Sequence, residues 1–304
     1  MAGRVFVAGS ANMDLVAKVP RLPPPGATVL ATDLQTLPGG KGANQAVAAA
    51  KAGSPATFFG CLGRDIFGDE LAAFLSGAGI DLAHVARVPV RSGTALITVD
   101  DSGQNQIAVF PGANAELRYC EGFGEAVLGD VLLSQNECPL GVVLDYARAA
   151  RRQGVTVVHN AAPAVAMPRE LLEIIDVLVV NDEEAFGCFI SFHPTTEAPR
   201  GAVAMARALQ RRPEQIVIVT LGADGLAAIA GERVIRLAAH RVQVVDATGA
   251  GDCFCGYLAS GLARGEMIDR AIAVANAAAA LAVQRHGAGV SMPARSEVEA
   301  FLDQ

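Results

Sequence analysis

Short uninterrupted apolar runs recur along the chain at Val5–Ala8, Thr57–Cys61, Val131–Leu133, Val155–Val158, Val177–Val180 and Ile216–Leu221. A strand covered on both faces carries apolar side chains at successive positions, so each run predicts a central strand. Between the runs the period changes. In Lys41–Gly53, residues Ala43, Ala46, Val47 and Ala50 recur at i, i+3, i+4 and i+7, which is one face of a helix. Ile66–Leu75, Pro139–Arg152 and Gly201–Arg212 behave the same way. Strands alternating with helices predict βαβ units and an α/β fold with a mostly parallel sheet covered on both sides.

Two regions break the rhythm. Asp14–Val19 and Ala27–Gln35 read as extended and are separated by the run from Pro20 to Gly26. Gly93–Val99 and Gln104–Phe110 flank Asp100-Asp101-Ser102-Gly103, a hairpin turn signal. These segments predict a small antiparallel sheet outside the main layer, of the kind that closes over a site and excludes water. The last third is alanine-rich and helical, over Gly249–Arg264 and Glu266–Arg285.

A chain of 304 residues, 52% hydrophobic and 18% charged, can bury a large core. Its net charge of −7 gives no nucleic-acid footprint and no polybasic membrane patch. No apolar run reaches the roughly 20 residues of a membrane span. The N-terminus enters the first strand without a secretory pattern, so a cytoplasmic protein is expected. Six cysteines lie scattered without a C-x-x-C pair, and five histidines do not cluster. Reduced structural thiols are therefore expected rather than zinc. Only three of the 24 Lys and Arg residues are lysines, which draws attention to Lys41 beside Gly39 and Gly40.

Three segments carry candidate chemistry. Asp246-Ala247-Thr248-Gly249-Ala250-Gly251-Asp252 opens a helix. Its small residues admit close approach of a ligand, and first-turn N–H groups with the helix dipole make an anion site. Asp252 at that mouth is placed to take a proton from an attacking hydroxyl while the amides of Ala250, Gly251 and Asp252 hold phosphoryl oxygens. The same pattern also suits a glycine turn with a capping Asp. In Gly39-Gly40-Lys41-Gly42-Ala43-Asn44-Gln45-Ala46, Lys41 and Asn44 share one side of a first helical turn and suit sugar hydroxyls, and a turn with a solvated helix start is the competing explanation. This is not a Walker A loop, because position 35 is Gln and Gly42 follows the Lys. In Gly9-Ser10-Ala11-Asn12-Met13-Asp14, Asn12 and Asp14 point to one side of an extended chain that leaves the first strand. A simple Asx turn is the competing explanation. Asn181-Asp182-Glu183-Glu184 and Thr220-Leu221-Gly222-Ala223-Asp224-Gly225 are weaker, as a helix start able to organise Mg²⁺ waters and a turn able to border a nucleotide.

In this order the segments resemble the ribokinase/PfkB family of carbohydrate kinases, over residues from about 4 to about 302, with Gly39–Ala46 and Ala247–Asp252 the most specific. Pro25–Val29, Gly112-Ala113-Asn114 and Ala161–Ala164 join the match. The resemblance implies one ribokinase-like kinase domain over 1–304, a three-layer α/β/α sandwich, with lid segments at about 14–37 and 93–111. It implies Asp252 as catalytic base, with Gly249, Ala250 and Gly251 around the anion hole. Asn12, Asp14, Gly40, Lys41, Asn44 and Glu137 would bind sugar hydroxyls, and Ala95, Ile107 and Val109 would close over the sugar. Asn181 and Glu184 would attend Mg²⁺ and phosphates, with Thr220, Gly222, Gly225, Gly251 and Asn276 on the ATP side. A monovalent cation, usually K⁺, would sit between Asp246, the carbonyls of Thr248, Ala282, Arg285 and Gly287, and the Ser291 hydroxyl. Pairing into a homodimer through the lid is also implied. The chain departs from the family pattern at His159–Pro163 and Phe186–Ile190.

Among acceptors, the hydroxyl-binding groups with a net negative sum favour D-ribose. A phosphorylated sugar would want an added Arg or Lys cluster, and a nucleoside an aromatic platform that 5% aromatics without Trp do not make evident. Deoxyribose and fructose remain open. A Rossmann oxidoreductase lacks its glycine fingerprint. A non-catalytic sugar sensor would have no need of an intact Asp252 loop.

Overall fold

The computed structural model describes residues 3–195 and 197–303. In its first half the strands are β1 (Val5–Ala8), β2 (Asn12–Val19), β3 (Asp33–Gly39), β4 (Ala56–Phe59), β5 (Cys61–Gly63), β6 (Ala86–Val88), β7 (Gly93–Asp100) and β8 (Asn105–Phe110). The second half adds β9 (Val131–Gln135), β10 (Thr156–Asn160), β11 (Val177–Asn181), β12 (Ile216–Thr220), β13 (Leu226–Ala230) and β14 (Arg233–Leu237). The helices are α1 (Lys41–Lys51), α2 (Ile66–Gly77), α3 (Leu140–Gln153), α4 (Arg169–Ile174), α5 (Asp182–Phe192), α6 (Ala202–Leu209), α7 (Ala250–Ala263), α8 (Ile268–Ala282) and α9 (Arg295–Leu302).

The main sheet runs in the order β14-β13-β12-β11-β10-β9-β1-β4. Pairing is parallel from β12 through to β4, and β13 and β14 finish one edge antiparallel. The uninterrupted apolar runs have the reason the sequence suggests. Val5 and Val7 enter one layer with Phe58, Leu133, Tyr257 and Leu258, while Phe6 and Ala8 enter the other with Leu132, Tyr146 and Phe189. β4 follows β1 on one side and β9 joins it on the other, so the chain reverses direction at β1. In such sheets the loops beyond the strand ends separate at the reversal and leave a crevice.

The expectation of a purely antiparallel second sheet is corrected: its order is β3-β2-β7-β8, with the outer pairs antiparallel but β2 and β7 parallel, since a long crossover rather than a hairpin joins those two. The β7–β8 hairpin forms as predicted, its turn fastened by Ser102 and Gln104 amides donating to Asp100 Oδ1 at 2.9 and 3.1 Å. The expectation of an extended Ala27–Gln35 is corrected. The strand begins only at Asp33 and continues to Gly39, with Leu37, Pro38 and Gly39 opposite Asp14, Met13 and Asn12. Pairing with β2 fixes that register, and the last contact with β2 upstream of Asp33 is the Thr32 amide donating to the Lys18 carbonyl at 2.8 Å. The antiparallel edge was not legible either. Leu-Ala-Ala-Ile-Ala in β13 is equally compatible with a helix until β12 pairs with it.

Helices α1 and α7 approach closely enough to exclude a side chain. A Cβ on Gly256 would collide with the Ala48 methyl and lie 2.5 Å from the Gln45 carbonyl oxygen and 2.8 Å from Ala49 N. Helix propensity favours Ala over Gly by about 1 kcal/mol. Overpacking against backbone that cannot swing aside costs about 1–3 kcal/mol, so the clash wins. Gly256→Ala is therefore expected to lower the midpoint of urea unfolding. Gly141→Ala, on exposed α3 surface with nothing within 4 Å of the added carbon, is expected to leave it unchanged or raise it.

Candidate functional site

The crevice is built where β1 ends. Ser10 lies directly on the start of α1: the Ala43 amide donates to its carbonyl at 2.8 Å, and a Cβ on Gly42 would sit 2.5 Å from Ser10 N. Gly40 has φ 89°, and its Cβ would sit 2.6 Å from Asn12 N. Glycine is required there twice over, for the left-handed backbone and for the approach of two chain segments. A side chain on Gly39 would strike the Asp14 carboxylate. The glycines thus draw Asn12 and Asp14 of β2 against Lys41 and Asn44 of α1.

Asp252 sits in the first turn of α7 and is buried. Its Oδ2 accepts from Asn44 Nδ2 at 3.0 Å and its Oδ1 from Gln45 Nε2 at 2.9 Å. The turn before it is set by Gly249 at φ 76°. The Ala250 amide reaches back to the Ala247 carbonyl at 3.3 Å, whereas the amides of Gly251 and Asp252 have no protein acceptor among the described residues. Gly251 has ordinary φ and nothing within 4 Å of its missing side chain. Neither backbone conformation nor packing explains that glycine; open space above two free helix-start amides does, as room for an anion.

Around this point charge is unevenly distributed. Burial, with the Glu137 and Asp252 carboxylates nearby, raises Asp14 to about 7 against the pull of Lys41. Burial opposes the charge of Lys41, yet Asp252, Glu137 and Glu184 together hold its pKa above the usual lysine value. Glu137, in the loop after β9, accepts from the Ser10 hydroxyl and from the Lys41 amide at 3.1 Å. Asn12 Oδ1 accepts from Asn114 Nδ2 at 2.7 Å, and Asn114 also spans both backbone groups of Ala11. Asn44 Oδ1 is buried with no hydrogen-bond donor. Ala95 is buried in β7 opposite Asp14, while Ile107 and Val109 are half exposed on β8.

Asn181 and Glu184 form a capping box: Glu184 N donates to Asn181 Oδ1 at 2.8 Å, and Asn181 N to Glu184 Oε2 at 2.9 Å. Burial keeps the Glu184 carboxyl above its ordinary range. Its second oxygen has no protein donor among the described residues. Thr220 ends β12, and Gly222 and Gly225 lie in the connection to β13. Asn276 on α8 donates to the Ala238 carbonyl at 2.9 Å and fastens the segment that follows β14.

The loop before α7 is tied to the segment after α8. Asp246 Oδ1 accepts from Thr248 N and Oδ2 from Gly287 N, both at 2.9 Å. Burial alone would raise Asp246, but the Thr248 and Gly287 donors hold it below the usual carboxylate range. The Ala282 carbonyl accepts from Arg285 N at 3.1 Å, and the Ser291 hydroxyl donates to the Ala288 carbonyl at 2.7 Å. Both Asp246 oxygens thus already hold a backbone donor, and this loop is tied in place by protein contacts. A cavity of about 490 Å³ separates this loop from the second sheet, lined by Asp14, Lys18, Ile97, Ile107, Asp246, Thr248 and His286 among others. A larger groove of about 760 Å³, between α6 and β13–β14, touches none of the groups around Asp252.

The departures from the family pattern are structural. The His159 ring is fully buried and bonded at both nitrogens, by Ser134 and Asn136 at 2.9 Å, and burial pushes its pKa down to about 3. In the second departure Cys188 and Phe189 enter the core and Phe186 stays exposed. Sequence reasoning assigned no role to Ser10, Gln45, Gln135 or Asn160. Ser10, Gln45 and Asn160 lay inside quoted motifs, but their partners are far away in the chain.

Comparison with known proteins places the chain as a whole. The pfkB family carbohydrate kinase signature matches residues 2–295. Ribokinase from Haemophilus influenzae is 36% identical over 307 residues, covering 100% of this chain and 99% of that one. The crystal structure of ribokinase from Thermotoga maritima superposes with a TM-score of 0.88 at 36% identity, covering 99% of each chain. Arabidopsis thaliana ribokinase, solved in complex with ribose and ATP, gives a TM-score of 0.89 at 34% identity over 100% of both chains. With a signature spanning nearly its full length and such relatives matched end to end, this chain belongs to the pfkB family of carbohydrate kinases.

Proposed function

We propose that this protein transfers the γ-phosphoryl group of ATP to the primary hydroxyl of D-ribose, giving ribose 5-phosphate and ADP, with Asp252 as the catalytic base. The observation that carries this reading is the placement of a buried carboxylate beside two free helix-start amides and an open glycine face. Asp252 takes the hydroxyl proton. The hydroxyl oxygen forms the new bond to the γ-phosphorus, and the bond from phosphorus to the bridging oxygen of ADP breaks with its electron pair. The Gly251 and Asp252 amides offset charge on the transferring group. Asn12, Asp14, Lys41, Asn44 and Glu137 bind and orient the sugar. The second sheet acts as the lid of a single kinase domain and keeps water from the transfer.

Thr220, Gly222, Gly225 and Asn276 border the nucleotide. No group of three or more acidic, His or Cys side chains is gathered for a metal among the described residues. Mg²⁺ that arrives with the ATP phosphates fits this, because it keeps most of its waters and needs few protein ligands. Glu184 and Asn181 would hold those waters, and the metal neutralises phosphate charge. A monovalent cation such as K⁺ would be held by Asp246, Ser291 and the carbonyls of Thr248, Ala282, Arg285 and Gly287, stiffening the loop that presents Gly251 and Asp252. The exposed apolar side chains Leu34, Leu96, Ile107 and Val109 on the second sheet support pairing of two copies through the lid. We place the protein in the cytoplasm, where its six free thiols stay reduced.

Asp252→Asn is expected to lower kcat on D-ribose by at least about 100-fold, the range for loss of a general base. Near-parental turnover measured by coupled ADP release would overturn the assignment. The same assay with 2-deoxyribose and fructose tests the substrate, since a higher kcat/KM on either displaces ribose. Omitting K⁺ is expected to lower turnover; equal rates with and without monovalent cation would remove the cation from the reading.

Asp14 supplies a pH test. Ribose hydroxyls donate to its ionised form, and a carboxyl with a pKa of about 7 is half protonated near neutrality. The sign follows: the KM for ribose should fall as pH rises from about 6 to about 8. Asp14→Asn should flatten that dependence and raise KM throughout. A pH-independent KM in the parent protein would overturn a half-protonated Asp14 at the sugar, and a parental KM in Asp14→Asn would remove the contact itself.

A further inference from the structure

We infer that Gln45 is a positioning residue for the catalytic base: it anchors one oxygen of Asp252 through a buried chain of side-chain amides reaching β9 and β10, and leaves the other oxygen to take the proton. This deepens the reading of Asp252 as base and rests on it.

Gln45 and Gln135 are essentially inaccessible, and Asn160 and Asp252 nearly so. Gln45 Nε2 donates to Asp252 Oδ1 at 2.9 Å and to Asn160 Oδ1 at 3.0 Å. Gln45 Oε1 accepts from Gln135 Nε2 at 2.7 Å. Asn160 Nδ2 in turn donates to the Val179 carbonyl at 3.2 Å. The polarity of this chain is fixed from both ends. An ionised carboxylate and a backbone carbonyl can only accept. Asp252 therefore faces the Gln45 amide nitrogen, and Asn160 turns its nitrogen to Val179 and its oxygen to Gln45. Gln45 must then present its oxygen to Gln135. No amide in the chain can flip without setting acceptor against acceptor.

Packing alone does not explain this polarity. Gln135 Oε1 is left buried without a donor, against Gly9, where a side chain would collide with it. A buried unpaired acceptor costs about 1–3 kcal/mol, whereas apolar side chains of the same shape would fill the space at little cost. What the chain provides is a fixed carboxylate. In the free protein Asp252 is held on both oxygens, Oδ2 by Asn44 and Oδ1 by Gln45. Asn44 is also a sugar ligand in the proposed reading, so it exchanges its contacts when ribose enters. Gln45 points away from the sugar into the protein and keeps its grip. Oδ1 stays anchored, the rotation of the carboxylate is set, and Oδ2 receives the hydroxyl proton.

The test is steady-state kinetics of the full chain on ribose and ATP across pH. Gln45→Met fills similar volume without the donor and is expected to lower kcat about 10–100-fold, the scale of a misoriented reacting group, with ribose KM within about threefold. Gln45→Met also removes an N–H donor from the ionised carboxylate and is expected to move the acidic limb of the kcat profile upward by about one pH unit. A residue that only fills space would not move that limb. Gln135→Met contacts Gln45 and not Asp252. It is expected to lower kcat about threefold to tenfold at unchanged ribose KM, and it carries the test if Gln45→Met does not fold. Parental kcat and an unmoved acidic limb in these variants, beside an inactive Asp252→Asn, would overturn the positioning role and leave the base in place. An active Asp252→Asn would bring down the base and the inference together.

Discussion

The site depends on one contact, the meeting of the N-terminal halves of α1 and α7 over the Asp252 carboxylate. A buried carboxylate without donors is costly, and this one receives one N–H on each oxygen, from adjacent residues of α1. That is possible because the helices lie closer than any side chain would allow, with Gly256 resting on the Gln45 carbonyl and the Ala48 methyl. The hydrogen bonds and the glycine therefore act together. Separating the helices would leave the carboxylate unpaired, and losing the donors would leave a charge in an apolar interface.

The electrostatics of the crevice divide it into two parts. On the side of α1 and β2, the carboxylates of Asp14, Glu137 and Asp252 crowd around one ammonium, and burial with its negative neighbours lifts Asp14 to about 7. Such a cluster rewards a neutral ligand that brings many hydroxyl donors and repels one that brings its own phosphate. On the side of α7 the free amides of Gly251 and Asp252 and the positive end of a helix favour an anion. A polyol next to a phosphate is the combination this polarity accommodates, with Asp252 at the boundary.

The loop that presents this boundary is held from behind. Asp246 ties Thr248 to Gly287, and the Val283 carbonyl accepts from the amides of Val245 and Asp246 at 2.8 and 3.1 Å. The same loop forms one wall of the cavity whose other wall is the second sheet.

The sequence by itself determined the main layers, because strands covered on both faces and helices covered on one leave different periods in the chain. It also marked Asp252, Lys41, Asn44, Asn12 and Asp14, because glycines required for close approach stand beside them. It could not set the edges. β3 takes its register from β2 and β13 from β12, and a pairing partner is not a local property of either segment. Nor could it show that Gln45, inside a motif already noticed, turns its amide to a carboxylate 207 residues away, or that Gln135 and Asn160 stand behind it. The donor and acceptor directions of a buried amide depend on what faces it, and only the tertiary fold decides what that is.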